Sequence, residues 1–259
     1  MGIFRLLCIG DVVGQCGVEY LERHLWNFRT ANRVDMTVVN GENAAVGNGL
    51  DIQSARRLLD AGADILTSGN HIWQKKDIRT FLEENETLLR PANYPDGCPG
   101  SGYTVIRADG YRFLVINLMG TVYLEPLGDP FAAADRILSR MAGQFDMAVL
   151  DFHAEVTSEK IAMGRYLDGR VSAVFGTHTH VQTADEQILP AGTGYITDLG
   201  MTGPDDSVLG VKVSCILEKF TTRMPVRFET AEGKVTAHGA LFEIDPESGR
   251  TVAVSRVIF

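Results

Sequence analysis

A chain of 259 residues with a net charge of −9 is long enough for one α/β domain with a full core, and too acidic to grip a nucleic-acid backbone through a broad basic face. Its four cysteines (Cys8, Cys16, Cys98, Cys215) are scattered without a Cys-x-x-Cys pair, which argues against a disulfide framework and a thiolate zinc site. No apolar run is long enough to span a bilayer, and the N-terminal one is broken by Gly10 and Asp11, so the expectation is a cytoplasmic protein with no membrane partner.

Phe4–Gly10 (FRLLCIG) reads as a buried strand, followed by a helical pattern over Val18–Arg29. Met36–Asn40 (MTVVN) is the next strand, then come a helix over Ile52–Ala61, a short strand over Ile65–Ser68 and a helix near Lys76–Asn85. Residues 103–118 break the alternation, because Asp109-Gly110 between two β-rich runs is the sequence of a tight hairpin. A helix over Pro130–Ala142, a strand over Met147–Phe152, a helix over Ser158–Leu167 and a strand over Val171–Phe175 follow. The tail from Val226 to Phe259 alternates, with turn signals at Ala231-Glu232-Gly233 and Pro246–Gly249, and reads as antiparallel strands finishing the sheet. Strands alternating with helices predict a largely parallel sheet, and the hairpins add a mixed or second sheet. No linker, repeat or low-complexity segment interrupts this pattern, so residues 1–259 form a single expected domain.

The polar residues fall where those strands end. Gly10-Asp11 closes the first, Gly41-Glu42-Asn43 follows the second, and Gly69-Asn70-His71 the third. Asp151-Phe152-His153 and Gly176-Thr177-His178-Thr179-His180 close two more. Ligands of open α/β sheets sit beyond the carboxyl ends of strands. Taken singly, each residue has a plainer reading, such as a turn aspartate, a loop asparagine or a half-buried histidine. Together they place four of the chain's six histidines at strand ends; His24 falls in a helix and His238 in the tail, and neither is assigned to a site.

A donor set of oxygen and imidazole nitrogen without sulfur suits Mn, Fe, Co, Ni or Zn better than Mg or Ca. Seven donors exceed the need of one ion, so two divalent or trivalent ions per chain, bridged by a carboxylate and a water, are expected. Such a pair activates the bridging water toward phosphorus, and a remaining histidine can protonate the departing alkoxide.

The same motifs (GD at 10–11, GEN at 41–43, GNH at 69–71, His153 and GTHTH at 176–180) resemble the calcineurin-type metallophosphoesterase signature. The first motif lacks the usual histidine, and Glu42-Asn43 stands where an aspartate is usual; that variant resembles the YmdB-like bacterial cyclic-nucleotide phosphodiesterases. The resemblance extends over GENAAVGNGL, RPANYP, DFHAEVTSEK, GTHTHVQTADEQILP and TDLGMTGP. It implies an αββα sandwich of mixed sheets flanked by helices. It also implies that Asp11, Glu42, Asn43 and His180 serve one metal, that Glu42 bridges, and that Asn70, His153 and His178 complete the second. Asn43 has a second reading, contact with solvent or substrate. His71 is left as the general acid, iron is the first metal implied, and 2′,3′-cyclic nucleotides are the implied substrates. RNA ends and a homo-oligomer are further implied possibilities.

Two departures stand out: Val18 and Thr121 occupy positions where relatives usually carry arginine. The Gly47-Asn48-Gly49 stretch lacks the Lys-Ser/Thr of a phosphate loop and reads as a loop before the next helix. Arg90-Pro91-Ala92-Asn93 and Thr197–Gly203 read equally as structure or as pocket rim. Two rival functions share the donor set, a metal-dependent amidohydrolase and a regulatory protein whose metal site binds a nucleotide or RNA.

Overall fold

Strand β1 (Phe4–Ile9) shows how the layers arise. Phe4, Leu6 and Cys8 pack into one core and Leu7 and Ile9 into another, as the alternation of side chains along a strand requires. The same division holds across two sheets in this computed structural model, which describes residues 2–259.

The first sheet joins β1 to β2 (Asp11–Val12), β3 (Met36–Asn40), β4 (Ile65–Thr67), β11 (Met201–Pro204), β12 (Val235–Asp245) and β13 (Arg250–Ile258). Its order is β2-β11-β12-β1-β3-β4, with β13 paired to β12. The second comprises β5 (Tyr103–Ala108), β6 (Tyr111–Met119), β7 (Met147–His153), β8 (Ala173–Thr177), β9 (Gln187–Ile188) and β10 (Gly194–Ile196), in the order β5-β6-β7-β8-β10-β9. Both sheets are mixed: β1, β3 and β4 run parallel, as do β6, β7, β8 and β10, while β12 and β5 are antiparallel to their neighbours.

Phe4, Met36, Val38 and Phe242 of the first sheet meet Phe113, Val115, Met147 and Phe175 of the second in the central core. Outside the first sheet, Leu7, Val39 and Leu66 pack against α1 (Gly14–Asn32), α2 (Ile52–Asp60) and α3 (Ile78–Glu84). Outside the second, Leu114, Ile116 and Leu150 pack against α4 (Pro130–Arg140) and α5 (Thr157–Tyr166). The result is the expected αββα sandwich.

Local sequence explains several boundaries. Asp51 caps α2 by accepting from the Ser54 amide at 2.7 Å, and Asp129 caps α4 ahead of Pro130 at the first turn. Asp109 (φ 46°) and Gly110 (φ 83°) both adopt positive φ, the requirement of the tight turn joining β5 to β6. Helix α1 begins earlier than its apolar pattern predicts, because Gly17 lets it lie on β11; a Cβ there would stand 2.5 Å from the Thr202 carbonyl oxygen.

Two strands run further than expected: β7 includes His153 and β8 includes Thr177, since the parallel ladder continues through Met119, His153 and Thr177. The tail forms strands only from Val235; residues 226–234 are irregular apart from a bridge between Val211 and Thr230. Helix α6 (Val213–Thr222) is not legible in the sequence, because Ile216 is its only buried residue. Among the described residues, no helix is long and apolar enough to cross a membrane.

Candidate metal centre

Every donor predicted from the sequence arrives at one end of the sandwich. Asp11 opens β2, Glu42 and Asn43 follow β3, Asn70 and His71 follow β4, His153 ends β7, and His178 and His180 follow β8. Asp11, Glu42 and His153 are completely buried. The loop carrying His178 and His180 is bent against its preferences: both take positive φ (95° and 62°), a conformation costing about 1–3 kcal/mol for a residue with a side chain. Two carboxylates hold it there. The His178 amide donates to Asp11 Oδ2 at 3.0 Å, and Thr179, between the two histidines, gives its amide and hydroxyl to Asp198 Oδ2 at 3.2 and 2.6 Å. Asp198 is itself anchored by the buried Lys160 ammonium at 2.7 Å.

The donors fall into two groups. Around His153 Nε2 stand Asn70 Oδ1 at 3.1 Å, His178 Nδ1 at 3.1 Å and Glu42 Oε1 at 3.5 Å. Around Asp11 Oδ1, His180 Nε2 lies at 3.7 Å, with Asn43 Nδ2 3.4 Å from the same ring nitrogen and Asn43 Oδ1 turned to His71. Two ligands of one ion, each about 2.1 Å from it, sit roughly 3 Å apart, so the first group is already close to ligand spacing and the second slightly wider. Among the described residues, no three His, Cys, Asp or Glu side chains converge tightly enough to grip an ion as they stand. Two of the seven donors are asparagines, outside that count.

Further features fit a metal pair. Asp11 Oδ1 and Glu42 Oε2 are buried with no hydrogen-bond partner, so each sphere holds an unsatisfied carboxylate oxygen. Glu42 Oε1 faces the His153 group and accepts the His71 amide, while Oε2 is left without a hydrogen-bond partner. At Gly69 a Cβ would collide with the His153 ring and Glu42, so glycine keeps that space open. The far nitrogen of each imidazole is also occupied: His153 Nδ1 by Thr177 Oγ1 at 2.9 Å, His178 Nε2 by Glu155 at 2.9 Å and His180 Nδ1 by the Leu209 carbonyl at 3.1 Å. Such partners aim an imidazole at a metal.

The charges of the site tell the same story. Burial works against ionised Glu42 and Asp11, yet the facing histidines hold both carboxyls below their usual range. Burial likewise opposes charge on His153, but Glu42, Asp11 and Asp151 prevail and raise it to about 9. Burial and the neighbouring His153 together press His178 down to about 4, so His153 carries the positive charge of that pair. Buried carboxylates therefore favour cations, and they raise the proton affinity of the His153 and His180 rings.

His71 also touches the donors, since its ring Nδ1 lies 3.3 Å from Glu42 Oε1. Its amide donates to Glu42 Oε1 at 2.7 Å and its ring Nδ1 meets Asn43 Oδ1 at 2.8 Å, while the ring lines a cavity of about 770 Å³ shared with His178 and His180. Asn43 thus touches both His71 and His180, and Gly47 and Asn48 form part of the same wall. The RPAN stretch and Thr197–Gly203 do not line it. Arg90 is buried against the Pro91, Cys98 and Pro99 carbonyls, Asn93 donates to Met119 and Gly128, and Met201–Pro204 is a strand. Neither departure reaches the cavity: Val18 is on the buried face of α1, and Thr121 gives its amide to Glu159 at 2.9 Å.

The supporting groups were the part not anticipated as functional. Asp151 accepts from Thr67 at 2.5 Å, Thr177 at 2.7 Å and Asn40 at 3.0 Å, tying both sheets together beneath His153; burial raises its carboxyl to about 6 against those bonds. Asp151 and Glu155 flank His153 in DFHAE, which was the available signal. Lys160 and Asp198 stand in two stretches that carry the resemblance, DFHAEVTSEK and TDLGMTGP, but nothing in the sequence pairs them.

The chain is similar in sequence and fold to known proteins. The chain is 48% identical over 98% of its length, and 96% of the relative's, to a 2′,3′-cyclic-nucleotide 2′-phosphodiesterase of Bacillus subtilis strain 168. It superposes on a crystal structure of a hypothetical protein from Thermus thermophilus with a TM-score of 0.93 at 44% identity, covering 99% of each chain. A crystal structure described as a novel phosphatase of Mycoplasma pneumoniae matches with a TM-score of 0.94 at 31% identity, covering 100% of this chain and 94% of the other. The family described as YmdB-like protein matches residues 7–257, and the chain belongs to that family.

Proposed function

We propose that this protein is a dinuclear metal-dependent phosphodiesterase acting on 2′,3′-cyclic nucleotides. The observation that carries the reading is the pair of buried, unpartnered carboxylate oxygens, Asp11 Oδ1 and Glu42 Oε2, set among imidazole and carboxamide donors. Asp11, Glu42, Asn43 and His180 would hold one ion, and Glu42, Asn70, His153 and His178 the other, with iron the first candidate and Mn, Zn, Co or Ni alternatives. When bound, two such ions supply the Lewis acidity that phosphodiester hydrolysis requires. The protein's own contribution is positional. Thr177, Glu155 and the Leu209 carbonyl orient the rings, Asp151 holds the Thr177 hydroxyl, and Asp198 fixes the backbone between the two loop histidines. Asn43 Oδ1 holds Nδ1 of His71, leaving Nε2 to deliver a proton to the departing ribose oxygen. Opening the ring at the 2′ oxygen yields a 3′-monophosphate.

Metal analysis of protein purified without chelator, followed by turnover of 2′,3′-cyclic nucleotides, bis-p-nitrophenyl phosphate and an amide panel, tests the reading. Two ions per chain with formation of 3′-monophosphates are expected. Amide cleavage without phosphodiester turnover, or full activity with one ion, would overturn it.

A further inference from the structure

The cavity over the metal centre has a wall unlike its floor. The floor is polar, made by His71, His178, His180 and Asn43; the wall includes Arg227 and Phe228, from the irregular segment between α6 and β12. Phe228 is 50% exposed, and Val46, from the loop after β3, lines the same space at 72%. A large ring left in water is an unfavourable use of apolar surface in a domain with three well-filled cores. Nor is the segment a loose end that happens to fall there. The Lys212 amide donates to the Glu229 carbonyl and the Ala231 amide to the Gly210 carbonyl, each at 2.9 Å, so the backbone on the C-terminal side of Phe228 is pinned to residues 210–212. Leu209, next to that pinned stretch, lines the cavity and accepts the His180 ring. The wall and the metal donors are therefore one connected structure.

Arg227 is the sole lysine or arginine among the residues lining this cavity, in a protein of net charge −9. Its acidic neighbour Glu229 is engaged by Lys212 at 2.8 Å. An exposed aromatic face beside a cation, at the mouth of a site built for phosphoryl oxygens, matches a ligand that is flat and apolar at one end and anionic at the other.

We propose that Phe228 is the stacking platform for the nucleobase of the substrate and that Arg227 beside it draws in the anionic ligand, so that the pocket selects nucleotides over base-free phosphodiesters. This rests on the phosphodiesterase reading for the identity of the reaction. Stacking on an aromatic ring tolerates every base, since each has a π-face, and it favours the larger purines. The site is thus selective for a nucleobase without being selective for one base.

The test uses the full, metal-loaded chain with 2′,3′-cyclic AMP and with the 2′,3′-cyclic phosphate of methyl riboside, which keeps the phosphodiester and lacks the base. Calorimetric binding of adenosine 3′-monophosphate is measured alongside. In Phe228→Ala the ratio of kcat/KM for cyclic AMP to that for the base-free compound is expected to fall about ten-fold, through KM, with a matching loss of nucleotide affinity. Phe228→Trp should keep both. Arg227→Gln should raise KM for both substrates, more at low ionic strength. An unchanged ratio in Phe228→Ala overturns the proposal. So does an unchanged ratio with a smaller sedimenting species, which would make Phe228 part of a subunit contact with Leu217, Phe220 and Met224. Wild-type protein that binds adenosine 3′-monophosphate through Phe228 but hydrolyses neither substrate supports the nucleobase site and refutes the phosphodiesterase reading. Equal efficiency on both substrates, unaltered in the variant, does the reverse.

Discussion

At the scale of single residues, three side chains separate the proposed roles. Glu42 presents one oxygen to the His153 group and keeps the other free, so Glu42→Ala should remove both ions, measured by metal content, and abolish turnover. Unchanged metal content would mean that Glu42 is not shared. His71 meets Glu42 and Asn43 through its amide and its ring Nδ1. His71→Asn should keep both metals yet lose on the order of 10²–10⁴-fold in rate on a cyclic nucleotide, the usual worth of positioned acid catalysis. The loss should be far smaller on bis-p-nitrophenyl phosphate, whose leaving group is already a stable anion; equal losses on both would remove His71 from the acid role. His153 adds a pH dependence. Without metal its ring holds a proton up to about pH 9, and a metal-bound imidazole must be neutral, so binding at pH 7 has to expel that proton. Affinity should therefore rise as pH rises toward 9 and fall on acidification. Calorimetry in buffers of different ionisation heat should detect proton release at pH 7, and its absence would contradict the assignment.

At the scale of elements, the loop between β8 and β9 depends on a buried ion pair outside the proposed donor set. Lys160 of α5 holds Asp198, and Asp198 holds Thr179 between His178 and His180. Removing one member of a buried ion pair leaves the other uncompensated, at a cost of about 3–5 kcal/mol. Lys160→Met should lower the urea midpoint accordingly and also weaken metal binding, because the positive φ of both histidines is held by that anchor. Lost stability with undiminished metal affinity would show that the pair supports the fold alone.

At the scale of the molecule, the site depends on two sheets keeping their relative position. Asn40 and Thr67 of the first sheet bond to Asp151 of the second, and Phe4 stacks on Phe113 across the central core, with centroids 5.3 Å apart. Phe4 is 2% exposed and lies at the start of β1, away from the donor-bearing strand ends. Phe4→Ala should cost about 3–5 kcal/mol in unfolding free energy while leaving metal stoichiometry intact. Loss of metal in the folded variant would indicate that sheet packing itself tunes the donors.

The sequence by itself determined most of this framework. Alternating apolar runs specified the strands, Asp109-Gly110 the hairpin, and Asp51 and Asp129 the starts of two helices, because each of these choices is decided by neighbours along the chain. The convergence of the seven proposed donors and His71 was legible for the same reason: each stands directly at or after a strand, and the ends of parallel strands converge in any such fold. The tertiary structure decided what depends on distant partners. β2 and β9 are two residues each, and β10 and β11 only three and four; they are strands because neighbouring ladders supply their bonds. Helix α6 has no core-facing stripe to announce it. Likewise the Lys160–Asp198 anchor spans 38 residues, the Asp151 network reaches 84 to Thr67 and 111 to Asn40, and Arg227 and Phe228 come to the cavity through bonds to residues 210–212. A buried charge or an exposed ring carries no mark in a linear sequence; only the packing of other segments around it decides which it is.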